Sequence, residues 1–235
     1  MITSTALTMR FGDTVALNHL TLAVQPGEIY CLLGPRGSGK STAVNLFMGF
    51  LKPAFGTASI EGYDVTKYPN EVKKRTALVT AHTPLYDRLT PIQHMEMFAS
   101  MYNRHDQHQS SIVERLRAAG LPERAMSERV ASLSAGARQK IAVAIAQMKD
   151  TPAVLLDEPA GGLDPRSAAD VLSLVKEMGE QGKEMLMTTD DVVHARTIAD
   201  RVGLLKDGLL IRELRREEFI REDLERSYLH LFVSP

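Results

Sequence analysis

The sequence predicts an α/β chain in which strands alternate with helices around a mostly parallel sheet, interrupted by a helical insert. Three observations predict it. The apolar run Ile29 to Leu33 leads directly into a glycine-rich loop and then a helical pattern. A second unbroken apolar run, Ala153 to Leu156 between Pro152 and Pro159, has the pattern of a central parallel strand buried on both faces. From Pro91 to about Met148 the periodicity is helical, with no strand between.

In chain order, Ala6 to Phe11, Leu20 to Val24 and Ile29 to Leu33 read as strands, the last after the Pro26-Gly27 turn. Thr42 to Phe50 reads as a helix, then Ala58 to Ile60 and Ala77 to Thr80 as short strands. In the helical stretch Ile92, Met95, Phe98 and Ala99 share one face and Ile112, Val113 and Leu116 another, with Gly120 and Pro122 as breaks. After Ala153 to Leu156 come a helix at Arg166 to Gly179, a strand at Met185 to Met187 and a helix at Val192 to Ala199. Val202 to Leu205 then turns at Asp207-Gly208 into Leu209 to Arg212. Leu210, Leu214, Phe219, Ile220, Leu224, Tyr228 and Leu231, with charges between them, predict an amphipathic helical tail over 216–235. The expected organisation is a single domain over 1–235. Its core is 1–85 and 151–215, its helical subdomain about 86–150.

Composition narrows the function. The 28 Lys+Arg balance 29 Asp+Glu, so no global field would hold the chain on a phosphate backbone or an anionic bilayer, and no nucleic-acid partner is expected. Cys31 is the only cysteine and sits in an apolar run, which predicts a buried thiol in a reducing compartment. Met1 to Arg10 lacks the cationic start and apolar core of a secretory signal, and no window reaches the roughly 18 apolar residues of a membrane span. Membrane association is therefore expected through a partner.

Two motifs carry chemistry. Gly34-Pro35-Arg36-Gly37-Ser38-Gly39-Lys40-Ser41 matches a phosphate-binding loop and stands between strand and helix, the context that such a loop requires. Its glycines let backbone N–H groups turn inward around phosphate oxygens at the helix N-terminus. Lys40 would neutralise the β and γ phosphates, Ser41 would offer its hydroxyl to Mg²⁺, and Thr42 would lie near the α phosphate. Leu155-Leu156-Asp157-Glu158 delivers two carboxylates to a sheet edge. Asp157 would hold Mg²⁺ through its water shell, and Glu158 would orient and deprotonate a water attacking the γ phosphate.

A third motif narrows the family. Leu133-Ser134-Ala135-Gly136-Ala137-Arg138-Gln139 resembles the signature of ATP-binding cassette (ABC) ATPases, with Ser134 and the amides near Gly136 forming a second anion site at a helix N-terminus. The resemblance covers almost the entire chain. Gly162-Leu163-Asp164-Pro165 looks like the family's D-loop, and Phe11 falls where an aromatic stacks on adenine, or else serves as a strand core residue. The resemblance implies a phosphate-loop core with an N-terminal antiparallel β subdomain and an inserted helical subdomain. It also implies MgATP as ligand and head-to-tail pairing with a second cassette, identical or different, so that each ATP lies between one chain's phosphate loop and the other's signature.

Two positions depart from the family's pattern. The Q-loop glutamine falls on Ala81, whose methyl cannot ligate Mg²⁺ or hold water, with His82 beside it. The switch histidine falls on Asp190, and an ionised carboxylate can only accept hydrogen bonds. His194 lies one turn further on and shares a face with Asp190. Slow hydrolysis is expected. The single cassette, the segment Pro84 to Thr90 and the short tail resemble ATPase subunits of bacterial ABC exporters whose membrane subunit is a separate polypeptide. There the chain would sit on the cytoplasmic face of the inner membrane. A groove beside residues 81–104, with Met95, Met97, Phe98, Met101 and Tyr102, would receive the partner's coupling helix, or else any one of these side chains packs in the core of the helical insert. The alternative is an ATP-dependent structural clamp with little turnover.

Overall fold

The structure, a computed structural model, describes residues 1–102, 109–221 and 223–232. The parts of the predicted helical run and partner groove that fall on 103–108, and of the tail on 222 and 233–235, lie outside the described residues.

An antiparallel sheet opens the chain, as the resemblance implies. Strands β1 (Ile2–Phe11) and β2 (Thr14–Val24) form a hairpin, β4 (Phe55–Ile60) pairs with the other edge of β1, and β5 (Tyr63–Asp64) closes the order β2-β1-β4-β5. β1 and β2 begin before their predicted starts, where buried Ile2 and Leu17 stand among Thr3, Thr5, Thr14 and Asn18. Glycine is required at Gly56, where φ is +79° and a Cβ would lie 2.2 Å from the Ala6 carbonyl oxygen.

The second sheet positions the site. Its strands β3 (Ile29–Leu33), β6 (Thr76–Thr80), β7 (Ala153–Asp157), β8 (Glu184–Thr189), β9 (Arg201–Lys206) and β10 (Leu209–Arg215) run in the order β10-β9-β3-β8-β7-β6. β3 is parallel to β8 and β9, and β8 to β7. Every residue of β3 and β8 is buried, as expected of strands covered on both faces. β10 returns antiparallel through Asp207-Gly208, both at positive φ. The carboxyl ends of β3, β7 and β8 therefore share one edge, where Gly34, Glu158 and Asp190 follow.

Helix α1 (Lys40–Phe47) begins two residues before the predicted Thr42 and stops short of Phe50, because Gly49 turns the chain at φ +68°. The sequence reading missed β5 and α2 (Pro69–Arg75), and α2 buries only Val72, so it has no apolar stripe to read. Helices α3 (Pro91–Met101), α4 (Gln109–Ala118), α5 (Glu123–Met126) and α6 (Ala135–Lys149) follow, with the predicted breaks at Gly120 and Pro122. α7 (Pro165–Glu180) and α8 (Val192–Ile198) alternate with strands, and the tail is two helices, α9 (Arg216–Arg221) and α10 (Leu224–Phe232).

The chain falls into two compact units, one of Met1–Leu78, Thr151–Glu158 and Gly179–Pro235, the other of Val79–Asp150 and Pro159–Met178. The first is built on a core that includes Tyr30, Leu32, Leu46, Phe47, Leu155 and Leu186. Cys31 is fully buried there, and desolvation pushes its thiol pKa far up, which leaves it inert.

Candidate nucleotide site and signature turn

β3 ends at Gly34, whose N–H donates to the Thr189 carbonyl at 3.3 Å. A Cβ on Gly34 would lie 2.2 Å from the Leu205 carbonyl oxygen, and one on Gly39, at φ +106°, 2.4 Å from that of Ala16. The loop between them is thus shaped by backbone packed on backbone. Its amides have few internal partners. Gly39 caps α1 without a side-chain hydrogen bond, and no acid stands in the helix's first turn. The Ser38 hydroxyl is buried without a hydrogen-bond partner among the described residues. Pro35 is half-buried, Arg36 and Gly37 are exposed, and Thr42 is half-buried in the first helical turn.

Lys40 is buried, its Nζ donating to the carbonyls of Gly34 at 2.6 Å and Pro35 at 3.1 Å, and lying 3.4 Å from Glu158 Oε1. Ser41 Oγ donates to Asp157 Oδ1 at 3.1 Å, and Thr188 Oγ1 donates to the same oxygen at 2.6 Å. Glu158 adopts φ +53°, a conformation uncommon for a non-glycine residue, held by its N–H on the Thr188 carbonyl at 3.1 Å. The Asp190 N–H donates to Glu158 Oε2 at 3.2 Å. The loop, Lys40, Ser41, Asp157 and Glu158 are therefore brought together.

These residues fit a magnesium nucleotide. A buried, partnerless hydroxyl and a row of uncapped amides suit phosphate oxygens. A serine hydroxyl beside a carboxylate suits Mg²⁺, which keeps several waters and takes few protein ligands. No cluster of three or more His, Cys, Asp or Glu exists among the described residues, so an all-protein metal cage is not the arrangement. Phe11 ends β1 beside Gly12 and is 50% exposed, so the strand-core alternative is set aside.

Asp190 follows β8 and Ala81 follows β6. Asp190 Oδ2 pairs with the exposed Arg36 Nε at 3.4 Å, while neighbouring Asp191 caps α8. His194 lies 3.7 Å from Asp191, not on Asp190. Ala81 is half-buried and His82 exposed, in a turn that Thr83 closes by bonding to the Thr80 N–H and carbonyl, each at 3.1 Å. Sequence reasoning missed Gln139, buried on α6, whose Nε2 donates to the Thr80 carbonyl at 2.9 Å and anchors that turn. A polar residue on the apolar face of a predicted helix was its signal. It also missed Arg36 as the partner of Asp190.

In the second unit Ser134 caps α6, its Oγ accepting from the Ala137 N–H at 3.2 Å. Gly136 is buried, and a Cβ there would lie 2.4 Å from Ser167 Oγ. Both line an open cavity of about 650 Å³, which also exposes Arg124, Lys140 and Arg166. Asp164 caps α7 by accepting from the Ser167 N–H at 3.0 Å, and its bonds to Ser167 lower its carboxyl pKa. Tyr86, Asp87, Arg88, Leu89 and Met97 line a smaller, mainly apolar cavity of about 410 Å³. Of the residues read as a partner groove or as core, Met95 is fully buried, while Met101 is 65% exposed. The helical period of 3.6 turns position 95 inward and 101 outward. His94, also buried, accepts from the Tyr86 N–H at Nε2 at 2.7 Å and so pins this segment; desolvation lowers its pKa, which favours the neutral ring that the bond needs.

Comparison with known proteins agrees with the geometry. The family model described as ABC transporter matches residues 17–161. The chain is 30% identical over 241 residues to the ABC transporter ATP-binding protein NatA of Bacillus subtilis, covering 100% of this chain and 97% of that protein. It is 35% identical to the daunorubicin resistance ATP-binding protein DrrA2 of Streptomyces coeruleorubidus, covering 88% of this chain and 65% of that one. Against the probable multidrug ABC transporter ATP-binding protein YbhF of Escherichia coli the identity is 31%, and the chain spans 36% of that longer protein. Among solved structures, the dimeric post-hydrolysis state of the cassette MJ0796 with ADP and Pi superposes at TM-score 0.80 and 28% identity, covering 92% of this chain and 99% of that one.

Proposed function

The chain belongs to the ABC transporter family and is an ATP-binding cassette ATPase, and on that premise we propose that it is the ATPase subunit of an exporter, docked on a separate integral membrane subunit at the cytoplasmic face. The observation that carries the nucleotide reading is the loop whose helix has no side-chain cap and whose buried Ser38 hydroxyl has no hydrogen-bond partner among the described residues. Among the described residues no helix is long and apolar enough to cross a membrane, so the reading has the chain reach the bilayer through a partner. Similarity to a resistance ATP-binding protein and to a probable multidrug transporter protein supports export.

In this reading Gly34 to Thr42 hold the triphosphate, Lys40 leaves its two loop carbonyls for the β and γ phosphates, and Phe11 stacks on adenine. Ser41 and Asp157 would hold Mg²⁺, which when bound would supply charge neutralisation to the phosphates. Glu158, held by the Asp190 amide, orients the attacking water and takes its proton. A second copy or a different cassette closes the site with its signature turn, and Ser134 and Gly136 do the same for the other nucleotide. Hydrolysis is slow, because Ala81 offers no ligand and the Asp190 carboxylate repels a phosphate.

The test is nucleotide retention and turnover by the purified chain with magnesium. Lys40→Ala should abolish retention. Glu158→Gln should keep retention and cut kcat by at least about a hundredfold. Brisk turnover in the parent would sink the slow-hydrolysis reading, and retention with no turnover at all would favour the clamp.

A further inference from the structure

The edge of the site beyond Lys40 is crowded with acceptors. Asp157, Glu158 and Asp190 converge there, Asp190 is occupied by Arg36, and its backbone N–H is spent on Glu158. A terminal phosphate placed among them needs a donor other than Lys40.

The C-terminal helix brings one. Leu224 is fully buried and Tyr228 and Leu231 are half-buried, so positions i, i+4 and i+7 make the inward face of α10. Arg196 Nη1 lies 3.5 Å from Glu225, and this face packs along α8. Lys206 Nζ, at the carboxyl end of β9, donates to the Leu231 carbonyl at 2.7 Å. Residue 225 thus lies by the last turn of α8 and 231 by the sheet edge. Tyr228 lies between them on the half-buried side of α10, the helix that packs along α8, and the start of α8 is where Asp190 and Glu158 are bonded together. Partial burial, then the charges of Asp190 and Glu158, raise the pKa of its phenol, which favours the protonated hydroxyl.

We propose that the Tyr228 hydroxyl is a γ-phosphate hydrogen-bond donor of this cassette, reaching the site from the C-terminal helix while Arg36 draws the Asp190 carboxylate aside. The proposal rests on the ATPase reading above and adds a catalytic residue to it. The slow turnover of the chain then depends on α10.

The experiment compares the full-length chain with Tyr228→Phe, which keeps the ring and its packing. Affinities for MgADP and for the magnesium complex of a non-hydrolysable ATP analogue are measured by displacement of a fluorescent nucleotide, with melting curves as a control. Loss of one charge-assisted hydrogen bond should weaken the ATP analogue about tenfold. MgADP, which has no γ phosphate, should change by less than about twofold, and kcat for ATP should fall about tenfold. Equal weakening of both nucleotides, no weakening of either, or a rise in kcat would each overturn the proposal. If the parent chain bound neither nucleotide, the cassette reading would fall and this proposal with it; if it bound both and Phe changed nothing, only Tyr228 would be removed from the site.

Discussion

Two helix N-termini in this molecule face anions in the proposed mechanism, and they are built in opposite ways. α1 starts on Gly39, in a left-handed conformation with no side-chain cap, below a loop whose shape comes from carbonyl oxygens of Ala16 and Leu205. α6 starts on Ser134, which satisfies the Ala137 amide itself, above a glycine pressed on Ser167. The first helix keeps its donors open and depends on ligand to satisfy them. The second is complete alone, as suits a turn that meets nucleotide only when another cassette brings it.

That contrast can be broken at three places. The largest effect is expected from Gly39→Ala, which would place a methyl 2.4 Å from the Ala16 carbonyl and force the loop to move. Two charge-assisted hydrogen bonds lost at about 1.5 kcal/mol each predict about a hundredfold loss of MgATP affinity, measurable by isothermal titration. Next comes Gly136→Ala, which overlaps Ser167 at both Oγ and Cβ. It should lower stability by about 1–3 kcal/mol in denaturant titration, leave the chain's own nucleotide binding unchanged, and be relieved by adding Ser167→Gly. If Ser167→Gly gave no relief, the packing account of Gly136 would be wrong. Smallest is Ser134→Ala, which removes one cap and should cost about 1 kcal/mol. Urea unfolding would show it, and a neutral result would mean that α6 does not rely on its own cap.

The same contrast explains what was legible in the sequence. The phosphate loop and the Asp157-Glu158 pair were readable because each needs residue types at fixed spacing beside an apolar strand. β3 was read to the residue because it is buried on both faces. β1 and β2 were read short, since Thr3, Ser4 and Thr5 in one and Thr14, Asn18 and His19 in the other break the apolar run at their starts. α2 buries one side chain and left no period. Within the site, the partner of Asp190 and the acceptor of Gln139 were not legible, because they depend on contacts 154 and 59 residues apart in sequence. Met95 took the core position that helical phase offered beside the groove reading, while Met101 stayed exposed.

The loop's outer wall carries a further consequence. The Gly208 N–H donates to the Ser38 carbonyl at 2.9 Å, and the Gly208 carbonyl accepts from the Asn18 N–H at 2.9 Å. Three chain segments distant in sequence are thus stitched main chain to main chain around the cradle before any nucleotide arrives. Such a preformed receptor loses little conformational freedom on capture, so encounter should be fast, and the time the nucleotide stays should be governed by how firmly the second cassette covers it.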